Sequence, residues 1–323
     1  MLRAFTFCAC FTSTLGLLGL VRAFCPLPCS RETCYLGCMK EFFARYKASF
    51  VLLLIFLGVA TTLTLALGNP FYLFNFGYIG LALAVGIALY TNKVKHARIF
   101  VEFAVGLYML IGIGIIEREN MQIEGFWYFL FLGIFSGATI HYAVAKILGP
   151  FIFGRGWCGY ACWTAMILDL LPYKRPTSAR KPYGWIRLVI LVGSFVLVAA
   201  LMATHVPDLG QLMFVFFLVG NALYYAIGIA LAFALKDNRA FCKYVCPVAM
   251  VMKPSARFSL MRITCDQEKC ISCGKCRKVC PMNVDMLDPK RSRANGTECI
   301  LCLQCVDACP TGALDLTAGP TKL

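Results

Sequence analysis

Apolar residues fall in long runs between positions 49 and 235, separated by short polar loops. Six runs, 49–68, 71–90, 99–116, 125–148, 185–206 and 211–235, approach or exceed the roughly 20 residues that a helix needs to cross a hydrocarbon core of about 30 Å. The pattern predicts an all-α membrane domain of six transmembrane helices over 39–252. After "MKPSARFSLMRIT" the runs stop, and 253–323 reads as a small polar α+β domain. Residues 1–38 form an extension of open status. Its start, "MLRAFTFCACFTSTLGLLGLV", reads either as a seventh span or as a signal-like segment, and a natural start at Met39 is the other reading.

Composition supports this division. The 323 residues are 60% hydrophobic and 15% charged, too apolar for an ordinary soluble domain. A formal charge of +15 raises nucleic acid as a partner, but the basic residues cluster in short loops between runs, where they set orientation. Lys40, Arg45 and Lys47 precede the first run, and Lys93, Lys95 and Arg98 lie between the second and third. Arg155, Lys174, Arg175, Arg180, Lys181 and Arg187 fill the connection between the fourth and fifth, and Lys236, Arg239 and Lys243 follow the sixth. The alternate loops hold Arg118 alone. Positive charge therefore puts both ends of the six-span unit, and all that follows residue 235, in the cytoplasm of a bacterial or archaeal cell. On these grounds membrane lipid, not nucleic acid, is the expected partner.

Nineteen cysteines change the picture again. Most follow metal-ligand spacings rather than those of a disulfide scaffold. "CISCGKCRKVCP" and "CILCLQCVDACP" are both C-x2-C-x2-C-x3-C-P, the run of bacterial two-cluster ferredoxins. Three thiolates on a tight loop take three corners of one cube, and the fourth reaches across to the other. Cys270, Cys273, Cys276 and Cys309 are assigned to one [4Fe–4S] cluster, and Cys299, Cys302, Cys305 and Cys280 to the second. Zinc, which favours separated C-x2-C pairs, is the weaker reading. Cys265 lies outside both quartets and reads as a buried thiol. Cys25, Cys29, Cys34 and Cys38 suggest a further metal site if the extension is real.

Two more thiol pairs, in "GRGWCGYACW" and "FCKYVCPVAM", sit just beyond apolar runs on the cytoplasmic side. Cys158, Cys162, Cys242 and Cys246 supply the four thiolates that a further iron–sulfur centre needs. C-x3-C spacing would put both sulfurs of a pair on one side of a helical turn. Gly154, Gly156 and Gly159 would allow close approach, and Arg155 and Lys243 would offset negative charge. Reducible dithiols and plain packing remain open beside a third centre.

Six spans, the segment "GRGWCGYAC", the later "CKYVCP" and the terminal quartets together resemble the NapH/MauN group of membrane polyferredoxins, from about Met39 onward. The resemblance implies a non-catalytic electron-transfer subunit of a respiratory or flavin-linked oxidoreductase system. Such a subunit passes electrons between a membrane quinol or an FMN-bearing partner and other electron-transfer subunits. One departure leaves the first pair's role open: Cys162 is followed by Trp163 rather than proline, whereas Cys246 keeps Pro247. The alternative is an assembly or regulatory iron–sulfur factor for a respiratory metalloenzyme. Relatives of that kind carry a further domain, and a chain stopping at Leu323 is expected to favour electron transfer.

Weaker signals have bland readings. "FSGAT" is similar to a signature whose threonine carries covalent FMN, but Gly133 stands where an acidic residue is expected, so Thr139 reads as packing and bound flavin is not expected. His141 and Glu102 are intramembrane polar residues and so functional candidates by default, His141 for quinone or proton traffic. His141 reads first as hydrogen-bonded between helices, and His96 and His205 flank spans on opposite faces and cannot pair as haem ligands. "LPYKRPTSARKPYG" reads as a topology determinant touching anionic lipid rather than as a docking site.

Overall fold

The structure, a computed structural model, describes residues 33–135, 137–176, 178–287 and 297–319, with side chains from Met39 onward. Two compact units are present, one ending at Lys95 and one beginning at His96. The readings of residues 1–32 as a span or signal, and of the thiols of Cys25, Cys29, Cys34 and Cys38 as a metal site, lie outside what is described.

The first unit is a helical hairpin of α1 (Thr33–Leu67) and α2 (Phe71–Thr91). Gly68, at φ 65°, stops α1 in the left-handed conformation that glycine adopts without strain. The Asn69 side chain then accepts the Phe71 backbone N–H at 2.9 Å, turning the chain into α2. At the other end Asn92 receives Arg45 at 2.8 Å and donates to Tyr46 at 2.8 Å. Leu54, Ile55, Leu65 and Phe74 face outward, as lipid-facing positions would.

The second unit opens with α3 (Ala97–Leu107), which continues as π-helical turns over Tyr108–Ile116. Later come α9 (Ile186–Ala203), entered through a tight turn at Tyr183–Trp185, and α10 (Leu209–Leu235). With the hairpin they make, among the described residues, five helices long and apolar enough to cross a membrane: Met39–Leu67, Phe71–Thr91, Ala97–Ile116, Tyr183–Ala203 and Leu209–Leu235.

The fourth apolar run departs from the single span predicted. It is divided between α4 (Ile123–Phe131) and a second stretch, Gly137–Phe153, that joins α5 (Gly137–His141), π turns (Tyr142–Leu148) and α6 (Gly149–Phe153). Gly133, at φ 68°, ends α4, and neither half alone has the roughly 20 residues of a span. The break is satisfied locally. Thr139 donates its hydroxyl to the Ile134 carbonyl at 2.9 Å, and the Glu119 carboxylate accepts the backbone N–H groups of Gly137 and Ala138. An acidic side chain at a helix N-terminus is where the helix dipole favours it. Thr139 is thus engaged in closing a helix break.

Four short helices complete the helical part: α7 (Trp157–Tyr160) and α8 (Trp163–Leu168) after α6, and α11 (Ala240–Tyr244) and α12 (Val248–Ala256) after α10. The tail adds β1 (Met261–Cys265), α13 (Lys275–Val279), α14 (Gln304–Asp307) and β2 (Leu314–Ala318). The strands pair antiparallel, Met261 opposite Ala318 and Cys265 opposite Leu314, so that the two cysteine loops hang from one small ribbon.

Candidate metal centres

Two loops of the tail share one backbone. In the first, Ser272 and Gly274 flank Cys273 at φ 52° and 71°; in the second, Leu301 and Leu303 flank Cys302 at 52° and 61°. A left-handed residue on each side of the middle cysteine curls the chain so that three cysteines line one concavity. Glycine takes this conformation freely, whereas each leucine pays about 1–2 kcal/mol, offset here by burial in the apolar core of the tail.

α13 and α14 follow the loops, and the fourth cysteines, Cys280 and Cys309, stand just past their ends. The consequence is an exchange. Cys280 lines a cavity with Cys299, Cys302 and Cys305, and Cys309 lines another with Cys270, Cys273 and Cys276. Among the described residues, no three His, Cys, Asp or Glu side chains converge closely enough to hold a single ion. Four thiols spaced around an internal volume suit a cube of iron and sulfide better than zinc, whose sulfur ligands lie about 2.3 Å from one ion. Cys265 departs from the buried thiol expected: it is half-buried at the end of β1 and lines the same cavity as Cys270.

The cavities differ in their surroundings. The second is walled by Ile263, Met282, Met286, Ile300 and Leu303, and burial pushes the Cys302 thiol up to about 12. The first opens outward, with Cys273 exposed. Burial acts against ionisation at Cys309 too. There the Thr311 hydroxyl and the backbone N–H groups of Thr311, Ala313 and Leu314 prevail and hold the thiol below its ordinary value. In the second cavity, Val284 N–H donates to the Cys280 sulfur at 3.3 Å. Such donors stabilise thiolate sulfur and tune a cluster's potential.

One carboxylate ties the second loop to the rest of its unit. Glu298, immediately before Cys299 and only 4% exposed, meets Arg155, Arg180 at 3.2 Å, Arg187 at 3.0 Å and Lys253 at 2.9 Å. Burial would push this carboxyl up, but the arginines outweigh it and hold it well below the usual carboxylate range. Arg180 of the basic loop and Arg187 at the start of α9 therefore also hold part of the chain through Glu298. Lys243 adds a second tie through Asn283 and also pairs with Asp237 at 2.7 Å. Neither Glu298 nor Asn283 carries a sequence signal, because a lone polar residue does not announce its burial.

The backbone of the first thiol pair rests directly on the second loop. Tyr160 donates to the Leu301 carbonyl at 3.0 Å, and the Cα of Gly159 lies against the Ile300 carbonyl. A side chain there would run into that oxygen, which is backbone and cannot swing away. Gly159→Ala is expected to cost about 1–3 kcal/mol, seen as a lower unfolding midpoint in detergent. Gly193→Ala, at a helical position with open space around it, should be neutral or slightly stabilising.

The four thiols of the two pairs come together, each within electrostatic range of the other three. They do not share one helical turn as the spacing predicted. Cys158 and Cys242 lie in the short helices α7 and α11, while Cys162 and Cys246 stand in the breaks before α8 and α12. A buried ionic network fixes this arrangement. Arg239 bonds Asp169 at 2.7 and 2.6 Å, Glu102 at 3.2 Å and the Cys158 carbonyl at 2.8 Å. Arg98 bonds Glu102 at 3.1 Å and the Gly159 carbonyl at 2.9 Å. Glu102, a functional candidate as an intramembrane polar residue, is paired with these arginines. His141 differs from its expected hydrogen-bonded state: it packs edge-on against Trp157, ring centres 5.0 Å apart, and its Nε2 has no partner among the described residues.

Residues 269–314 match the family model of the 4Fe-4S dicluster domain. The chain is a membrane protein with a C-terminal 4Fe-4S dicluster domain. This protein is 28% identical over 218 residues to the uncharacterized protein MJ0749 of Methanocaldococcus jannaschii, covering 63% of this chain and 81% of that one. It is 32% identical over 95 residues to the putative electron transport protein YccM of Escherichia coli, 29% of this chain and 26% of the relative. It is 30% identical over 151 residues to the methylamine utilization ferredoxin-type protein MauN of Paracoccus denitrificans, 42% of this chain and 53% of the relative. The chain thus spans about a quarter of YccM and half of MauN. No solved structure matches it. The dicluster domain implies two [4Fe–4S] clusters, in a chain whose described residues include five candidate membrane spans.

Proposed function

We propose that this ferredoxin passes single electrons between a membrane quinol or an FMN-bearing partner and other redox proteins, on the cytoplasmic side of the membrane. The divided run from Ile123 to Phe153 then completes a sixth crossing, and the basic loops lie inside. Cys270, Cys273, Cys276 and Cys309 hold the outer cluster; Cys280, Cys299, Cys302 and Cys305 hold the inner one. The clusters supply one-electron redox chemistry, and the protein fixes their spacing, donors and exposure.

The observation that carries this reading is the asymmetry of the two cavities. The inner quartet is apolar-walled and bound through Glu298 to elements that adjoin the spans, while the outer quartet presents Cys273 and the 65% exposed Ile271 to solvent. A protected end beside the membrane segments and an open end for a soluble partner suit a wire. In inverted membrane vesicles a quinol should reduce both clusters, and a protease should reach the tail there but not in right-side-out vesicles. Clusters that no quinol or flavoprotein reduces, or a tail cut only in right-side-out vesicles, would contradict it.

A further inference from the structure

The quartet formed by Cys158, Cys162, Cys242 and Cys246 is outside the dicluster domain, and its construction is that of a binding site. The two pairs have the same local build: a first cysteine in a short helix, a one-residue turn, and a second cysteine in the break before the next helix. In each the second sulfur receives a backbone N–H three residues on, from Ala165 at Cys162 and from Ala249 at Cys246. Backbone N–H donors to sulfur are a feature of iron–sulfur sites.

The cations around the quartet point the same way. Arg155 and Arg239 are each 1% exposed and are engaged by carboxylates, Glu298 for one and Asp169 with Glu102 for the other. Lys146 is different. It is 4% exposed and within electrostatic range of Cys158, Cys162 and Cys246, with its ammonium 4.7 Å from the centre of the Trp157 ring. Among the described residues no carboxylate pairs with it. A buried ammonium without an anion is costly, and four thiolates around a cube carry the net negative charge that would pair it.

We infer that Cys158, Cys162, Cys242 and Cys246 ligate a third iron–sulfur cube, with Lys146 as its buried counter-cation. The centre adjoins the inner quartet, since Gly159 lies on Ile300, and Cys242 belongs to the same apolar core as Cys280 and Cys305. It stands where electrons from the membrane segments would enter the pair of clusters. The site is separate from the dicluster quartets, so either assignment can fail without the other.

The test is iron and acid-labile sulfide analysis, with EPR, on full-length protein purified without oxygen. Wild type is expected to hold about 12 iron atoms per chain rather than about eight. Cys158→Ser/Cys246→Ser is expected to lose about four of them while both dicluster signals persist. Lys146→Met should lower the midpoint of the additional signal and leave the other two in place. Wild type with about eight iron atoms overturns the assignment without recourse to any variant. So does zinc in place of the extra iron, and so does an excess of iron that the double variant retains. Loss of the dicluster signals in wild type would instead contradict the tail's assignment.

Discussion

Replacing Glu298 with alanine is expected to release the inner cluster loop from the rest of its unit, at a cost of about 3–5 kcal/mol. The magnitude follows from burial. Four cations converge on this carboxylate, and Arg155 and Arg187, at side-chain exposures of 1% and 2%, cannot turn to water when it is removed. The cost is therefore that of stranded buried charges, well above the value of one ordinary pair. Arg277 and Asp285 provide the contrast. They meet at 2.5 Å but at side-chain exposures of 56% and 36%, so Arg277→Ala, which leaves the Leu287 N–H bond to Asp285 in place, should cost less than about 1 kcal/mol. Unfolding in detergent reads both, and hydrogen exchange over 297–305 should rise in Glu298→Ala alone. Similar small losses in the two variants would mean that the arginines are satisfied some other way.

The second large effect concerns which cluster each fourth cysteine serves. Cys280 follows the outer loop in sequence but lines the inner cavity, and Cys309 does the reverse. Cys280→Ser is expected to remove the buried cluster, with a loss of about four iron atoms per chain. Of the two tail clusters the exposed one then remains, and an iron chelator should strip it quickly. Cys309→Ser should damage the exposed cluster and leave the other tail cluster, which resists the chelator. Quartets taken straight from chain order would give the opposite pattern of resistance, so the two variants separate the alternatives.

The clusters and most of the spans were legible because their signals are local. Thiolate spacing is set by the size of a cube, and a span by the thickness of a bilayer, so both are written in consecutive residues. The divided fourth run was not legible. Gly133 and Gly137 sit in an apolar stretch where small residues normally mean packing, and only the backbone at Gly133, with Glu119 from another segment, shows the break. The anchor at Glu298 was hidden for a similar reason. Its partners Arg155 and Arg187 lie 143 and 111 positions away, and their positive charge read as a topology signal. Cys265 shows the limit from another side: strand pairing, not spacing, brings it to the wall of the outer cavity. The C-x3-C pairs were legible as pairs, while the helix breaks that bring their sulfurs together were not.

Native mass spectrometry of the full-length chain, released from detergent without oxygen, tests the central claim most directly. The expected spectrum shows mass increments of [4Fe–4S] units, at least two per chain, with iron and sulfide in equal number. A chain that flies as apo-protein, or with zinc ions in place of the cubes, would contradict it.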